Sequence, residues 1–287
     1  MAPPLKRRKW SLPGSDGEPI RGETHVPGGT PRGSVIIAHG FKGYKEYGMF
    51  PYLAVGIARR GYLAHRFNFS HSGMTGEIDT FARPDLFEKD TWNRQVDDLR
   101  SIVAAMEAGE VPGGGRPHVL LGHSRGGVAV LLAAGRGADD PNHVPPAGVI
   151  TLAAPDTAHR FTDDEAALLK KQGYLEAPSA RTGQTLRVGR AFLQEQLDEP
   201  ERHDVLALTA RIRAPLLILH GSDDETVPAT CATALGEAAT AGARVGIIPG
   251  ADHVFGTPNP FPEDGRPSEA LAIVEAEIES FLQLTIR

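Results

Sequence analysis

The sequence predicts an α/β fold, with a mostly parallel central sheet, helices on both faces and a small helical insertion. Three observations predict it. Short, wholly apolar runs recur, among them Val35–Ala38, Val119–Leu121 and Leu216–Leu219. A run without polar alternation marks a strand buried on both faces. Between such runs lie stretches with apolar residues three and four apart, such as Trp92, Val96, Leu99, Val103 and Met106, the spacing of one helix face. The two patterns alternate along most of the chain, as parallel strands joined by helical crossovers require.

The chain has 287 residues, 40% of them hydrophobic, and a net charge of −6. That length fits two domains, or one α/β domain with an insertion. There is no broad basic excess, so no nucleic-acid partner is expected. The run Lys6-Arg7-Arg8-Lys9 reads as the charged start of an edge strand. A single cysteine, Cys231, allows no intrachain disulfide and no cysteine zinc site. Pro3, Pro4 and the basic run stand where a signal peptide would need an apolar core. No stretch approaches the roughly 18 apolar residues of a membrane helix. The expectation is a soluble, cytoplasmic protein of open oligomeric state, a homodimer being one option.

In chain order, two short strands come first, around Trp10–Leu12 and Ile20–Val26, joined by a turn at Ser15-Asp16-Gly17. The strand 35–38 ends in His39-Gly40-Phe41-Lys42-Gly43. A helix over about 46–60 carries Met49, Leu53 and Ile57 on one face and stops at Gly61. Tyr62–Phe69 is a strand, and a polar segment leads into the helix that starts near Trp92. Gly113-Gly114-Gly115 precedes a strand instead of following one, so it is a linker and not a phosphate loop. The strand 119–121 runs into a small-residue helix, Gly126–Ala134, and Ala147–Ala154 is the next strand.

Alternation then breaks. About 60 residues separate Pro155 from Pro215, far more than a crossover needs. A capping box, Thr162-Asp163-Asp164-Glu165, opens one helix, and Gly173 closes it. A turn is expected at Arg181-Thr182-Gly183. Phe192, Leu193 and Leu197 suggest a second helix; Val205 and Leu208 suggest a third. The division expected is therefore a core of residues 1–154 and 211–287 with a mostly helical cap at 155–210. The sheet resumes at 216–219, followed by a helix over 228–241, a strand at 245–248 and a last helix over about 268–284.

Four strand ends carry polar residues. Gly122-His123-Ser124-Arg125-Gly126 has the G-x-S-x-G spacing that exposes a serine on a tight strand-to-helix turn, with the helix N-terminus behind it. Asp223-Asp224 follows the strand 216–219, and His253 follows 245–248. The order Ser, Asp, His goes with that turn. Ser124 would be the nucleophile and His253 the general base. One of the two aspartates would orient His253. The backbone N–H groups of Phe41 and Arg125 would receive an oxyanion. His39 and His220 are expected to hold loops by hydrogen bonds. His123 is expected to be structural, pointing into the helix–sheet layer. No histidine pair has metal-ligand spacing, so neither metal nor cofactor is expected.

Assembled, these pieces resemble the α/β-hydrolases over roughly residues 30–285. The chain is most similar to small-capped esterases of the cinnamoyl or feruloyl esterase and dienelactone hydrolase type, which overlap with serine aminopeptidases. The matching pieces are His39-Gly40-Phe41, the turn around Ser124, His220-Gly221-Ser222-Asp223-Asp224 with Val227-Pro228, and Gly250-Ala251-Asp252-His253. In that family the acid lies four residues after the strand-ending histidine, which selects Asp224. The segment Arg66-Phe67-Asn68-Phe69-Ser70 departs from the family's R-x-D-x-R pattern at Asn68 and Ser70. The resemblance implies a serine esterase taking small to medium carboxylic esters through an acyl-enzyme. A serine aminopeptidase-like amide hydrolase is the first alternative, favoured if a cap acid such as Glu195, Asp198 or Glu199 captures an amino terminus. A non-catalytic binding protein of the same fold is the second.

Overall fold

In β3 (Ser34–Ala38), Val35 and Ile37 face one helical layer while Ile36 and Ala38 face the other. The same alternation runs through β5 (His118–His123), β6 (Gly148–Leu152) and β9 (Leu216–Gly221). Successive side chains of a strand point to opposite faces, so a strand covered on both sides has no polar position to spare. These runs build the middle of an eight-stranded sheet in a computed structural model that describes residues 5–159 and 161–286. The Pro3–Pro4 reading lies outside the described residues.

The sheet order is β1-β2-β4-β3-β5-β6-β9-β10, with β1 (Lys6–Pro13), β2 (Pro19–Val26), β4 (Leu63–Asn68) and β10 (Ala243–Ile248). Strands β4, β3, β5, β6, β9 and β10 run parallel; β2 pairs antiparallel with β4, and β1 with β2, at one edge. On one face pack α1 (Phe50–Arg59) and α10 (Glu269–Thr285), through Leu53, Ile57, Val274 and Ile278. The other face carries α3 (Trp92–Glu107), α4 (Arg125–Gly137) and α9 (Thr230–Ala238). Among the described residues no helix is long and apolar enough to cross a membrane.

Four elements were not anticipated. A six-residue helix, α2 (Pro84–Lys89), starts at a proline whose fixed φ suits a first helical turn. The stretch between β6 and β9 holds α5 (Asp163–Gln172), α6 (Arg190–Asp198) and α8 (Val205–Arg211), as the periodicity suggested, and a four-residue helix, α7 (Pro200–His203), that it did not. It also holds an antiparallel hairpin, β7 (Tyr174–Pro178) with β8 (Thr185–Gly189), where only a turn was expected. The capping box of α5 forms, with Thr162 and Glu165 bonding each other's backbone N–H. Helix α8 packs so closely on α4 that a Cβ on Gly135 would lie 2.4 Å from the Leu208 carbonyl.

Candidate active site

Ser124 sits between β5 and α4 at φ +53°, ψ −122°. Few side-chain-bearing residues adopt a positive φ, and the surroundings must hold it there. The Ser124 N–H donates to the Leu152 carbonyl of β6 at 2.8 Å. A Cβ on Gly122 would lie 2.1 Å from the Gly126 carbonyl, and one on Gly126 would lie 2.4 Å from the Ala38 carbonyl. Only glycine at both positions lets β5, β3 and α4 approach this closely. Lys42, Ala153 and Phe255 also have positive φ. With Ser124 they ring the carboxyl ends of the parallel strands, where α/β sheets bind ligands.

His253 and Asp224 reach the same place from the loops after β10 and β9. The Asp224 Oδ2 lies 2.8 Å from His253 Nδ1, while Oδ1 accepts the N–H groups of Thr226 and Val227. Burial alone would raise the Asp224 pKa; the Val227 N–H and the His253 ring outweigh it and hold the carboxyl below its ordinary value. Asp223 is exposed and accepts from the Ser222 hydroxyl, away from His253. Among the described residues no hydrogen bond joins Ser124 Oγ to His253. Such nucleophile–base contacts commonly close only with substrate.

The neighbouring histidines hold loops. His39 Nδ1 meets the Gly40 carbonyl at 2.9 Å, and His220 Nε2 meets the Val227 carbonyl at 2.9 Å. His123 is buried against Phe50 of α1 and has a second contact that was not expected. Its ring does not enter the helix–sheet layer alone; Nε2 reaches across to the His253 carbonyl at 2.8 Å and braces that loop. Burial lowers the pKa of His39 to about 4 and of His123 to about 3, so both stay neutral.

Arg125 is the first residue of α4, so its N–H has no intrahelical partner. The Gly40–Phe41 turn lies against Ser124: a Cβ on Gly40 would stand 3.1 Å from the Ser124 Cβ. Two residues of β4 clasp this loop from below. Asn68 accepts the Lys45 N–H at 2.7 Å, and Arg66 Nη1 donates to the Lys45 carbonyl at 2.5 Å. The buried Arg66 is in turn paired with Glu23 of β2 at 2.6 Å. Asn68, the departure noted in the sequence, thus holds the loop with a neutral oxygen.

Two hollows meet at Ser124 and Phe41. One, of about 300 Å³, is mainly apolar, with Trp92, Ala158, Phe161, Val188, Phe192 and Val227 in its wall. The other, of about 210 Å³, is lined by His253, Val254, Tyr47, Lys42 and the hairpin turn Ser179–Arg181. The wall of the first includes the Arg125 guanidinium, 4.2 Å above the Phe192 ring and 4.9 Å above Trp92. Asp90, 3.0 Å away, answers its charge. Burial pushes the Asp90 carboxyl up to about 6 although Arg125 pulls it down. Sequence reasoning named Arg125 for its backbone only. The cap acids are engaged elsewhere. Glu195 accepts the Trp92 and Asn93 N–H groups at the start of α3, Glu199 accepts from Asn93, and Asp198 from Gln194. None lines either hollow. Among the described residues no cluster of His, Cys, Asp and Glu could hold a metal ion.

This fold, with a serine turn at the sheet's carboxyl edge, defines an α/β hydrolase. The model of the alpha/beta hydrolase family matches residues 35–272, and the chain belongs to that family. It is 25% identical over 276 residues to a monoacylglycerol lipase of Mycolicibacterium smegmatis, covering 88% of this chain and 92% of that one. Among solved structures it resembles Est1E of Butyrivibrio proteoclasticus, determined with ferulic acid (TM-score 0.71, 20% identity, 94% of this chain and 97% of the other). It also resembles a monoacylglycerol lipase of Paleococcus ferrophilus (TM-score 0.63, 18% identity, 97% and 98%).

Proposed function

We propose that the protein is a serine esterase that hydrolyses small to medium carboxylic esters through an acyl-enzyme, with Ser124, Asp224 and His253 as its triad. One observation carries the reading: Ser124, held at φ +53°, opens on a hollow that His253, bonded through Nδ1 to Asp224, also lines. Esterases and lipases among the relatives support the ester class.

Ser124 Oγ attacks the ester carbonyl carbon and its proton passes to His253 Nε2. Asp224 keeps Nδ1 protonated and stabilises the imidazolium. The tetrahedral oxygen is received by the N–H groups of Phe41 and Arg125. The acyl–oxygen bond breaks, and the alcohol leaves with the proton from His253. Water then attacks the acyl-serine, giving its proton to His253, and Ser124 is restored as the acid departs.

The leaving oxygen has to face the imidazole that protonates it. The alcohol therefore takes the hollow lined by His253, and the acyl chain takes the apolar hollow of Trp92, Phe161 and Phe192. Residues 155–210 act as a cap over both, closing on substrate. The peptide-cleaving alternative loses its support, because Glu195, Asp198 and Glu199 are already bonded and face neither hollow.

The test is labelling with a fluorophosphonate beside turnover of p-nitrophenyl esters. Wild type is expected to take one label and to hydrolyse short acyl esters; Ser124→Ala is expected to take none and to lose at least about 10³-fold in kcat. A folded wild type that neither labels nor turns over esters refutes the assignment.

A further inference from the structure

The two hollows beside Ser124 differ in charge. The apolar one holds a single cation, Arg125, already answered by Asp90. The hollow on the His253 side is lined by two cations, Lys42 and Arg181, and by no acid. Neither cation has a carboxylate partner among the described residues. Lys42 Nζ donates to the Pro178 carbonyl at 2.8 Å. Arg181 donates to the Ile78 carbonyl and, at 3.7 Å, to the Met74 sulfur, and its guanidinium stacks 4.4 Å over Tyr44. All these acceptors are uncharged, so two basic residues line the hollow without an ion-pair partner among the described residues. The acids nearby in sequence stay outside the lining: Asp224 holds His253, and Asp252 accepts the N–H groups of Val254 and Gly256. The cations come from different parts of the chain, Lys42 from the loop after β3 and Arg181 from the β7–β8 turn. They converge only in the folded molecule, on the side where a leaving alcohol would be protonated.

We propose that the alcohol portion of the substrate carries an anion, a carboxylate or a phosphate, which Lys42 and Arg181 receive. This rests on the ester-hydrolase reading above. The alcohol departs with the proton that His253 took from Ser124, and the anion is unchanged by the reaction. Its interaction with the two cations would fix which ester bond lies over Ser124.

The experiment compares kcat/KM of the full chain on three hexanoate esters: of glycolic acid, of 2-hydroxyethyl phosphate and of 2-methoxyethanol. At least one anionic ester should exceed the neutral one about tenfold, as a hydrogen bond to a charged group implies. Whichever arm is preferred names the carboxylate or the phosphate as the source. Lys42→Gln should cut the anionic-to-neutral ratio at least threefold, Lys42→Glu should bring it below one, and Arg181→Lys should preserve it. The ratio is internal to each variant, so a loss of folded protein does not mimic the effect. Fluorophosphonate labelling on the same preparations separates the two failures. Labelled wild type with a ratio under threefold in both arms, or Lys42→Gln with an unchanged ratio, overturns the inference alone. Protein that neither labels nor hydrolyses any of the esters overturns the hydrolase reading and this inference with it.

Discussion

The floor of the site and its roof differ in how much of each hangs on polar side chains. The floor, where β3, β5, β6 and β9 end, is fixed by backbone against backbone: glycines at 122 and 126 leave no room for a Cβ. The roof, the β7–β8 hairpin with α6, packs Leu186 on Phe81 and Phe87 and Phe192 on Trp92, and adds polar side-chain ties. Gln184 bonds both the N–H and the carbonyl of Phe81, Lys42 reaches Pro178, and Glu195 caps α3. A close-packed contact has one arrangement, whereas a few hydrogen bonds of about 1 kcal/mol each can open and close. On the proposed function, reaction geometry would belong to the floor and substrate choice to the roof.

The largest effect should come from within the floor. Asp224→Asn should lower kcat roughly 10⁴-fold while leaving the fold intact, because an amide favours the wrong His253 tautomer. Stopped assays with a p-nitrophenyl ester and a thermal melt on one preparation check it; an active variant would place the orienting acid elsewhere. Next, Gly122→Ala should cost about 2–3 kcal/mol through overpacking against the Gly126 carbonyl, read as a lower denaturant midpoint. An unchanged midpoint would mean that the turn can yield, and the contrast with the roof would fail.

Acid should loosen the floor. Burial holds His39 and His118 near pKa 4 and His65 and His123 near 3, and all four lie in or beside the central strands. The unfolded chain begins to bind protons at these sites near pH 6.5 while the folded one does not. Stability is therefore present above about pH 6.5 and lost as pH falls toward 4. His118→Gln, outside the site, should flatten that decline by on the order of 1–2 kcal/mol at pH 5. Urea unfolding at pH 7 and pH 5 measures it, and equal slopes would show that the imidazole is not held neutral. The smallest change belongs to the roof. Gln184→Ala should cost about 1 kcal/mol and raise KM more than it lowers kcat.

The same division explains what could be read in advance. The floor's strands are unbroken apolar runs, and its turn needs two glycines at one spacing, so both stand out in the linear chain. The roof left fainter marks. Strands β7 and β8 are short and half-exposed, without a full alternating face. What fixes them, Gln184 on Phe81, Lys42 on Pro178 and Leu186 on Phe87, joins residues far apart in sequence that carry no local signal. Helix α2 was hidden by its length of six residues. Nothing in the linear chain joins Lys42, in the segment after the strand 35–38, to Arg181, in the turn expected at 181–183; only the fold brings both to one hollow.

The clasp of Arg66 on Lys45 has a consequence for building chimaeras. Its guanidinium spans two structural neighbourhoods, with Glu23 in one grip and the loop beside Ser124 in the other. A recombinant that takes residues 5–30 from one parent and the rest from another inherits the cation without its counterion unless both parents agree there. An uncompensated buried charge of this kind costs several kcal/mol, and the cost would fall on the loop that supplies the Phe41 N–H. Glu23, Arg66, Asn68 and Lys45 therefore form one heritable block, and crossover points belong outside it.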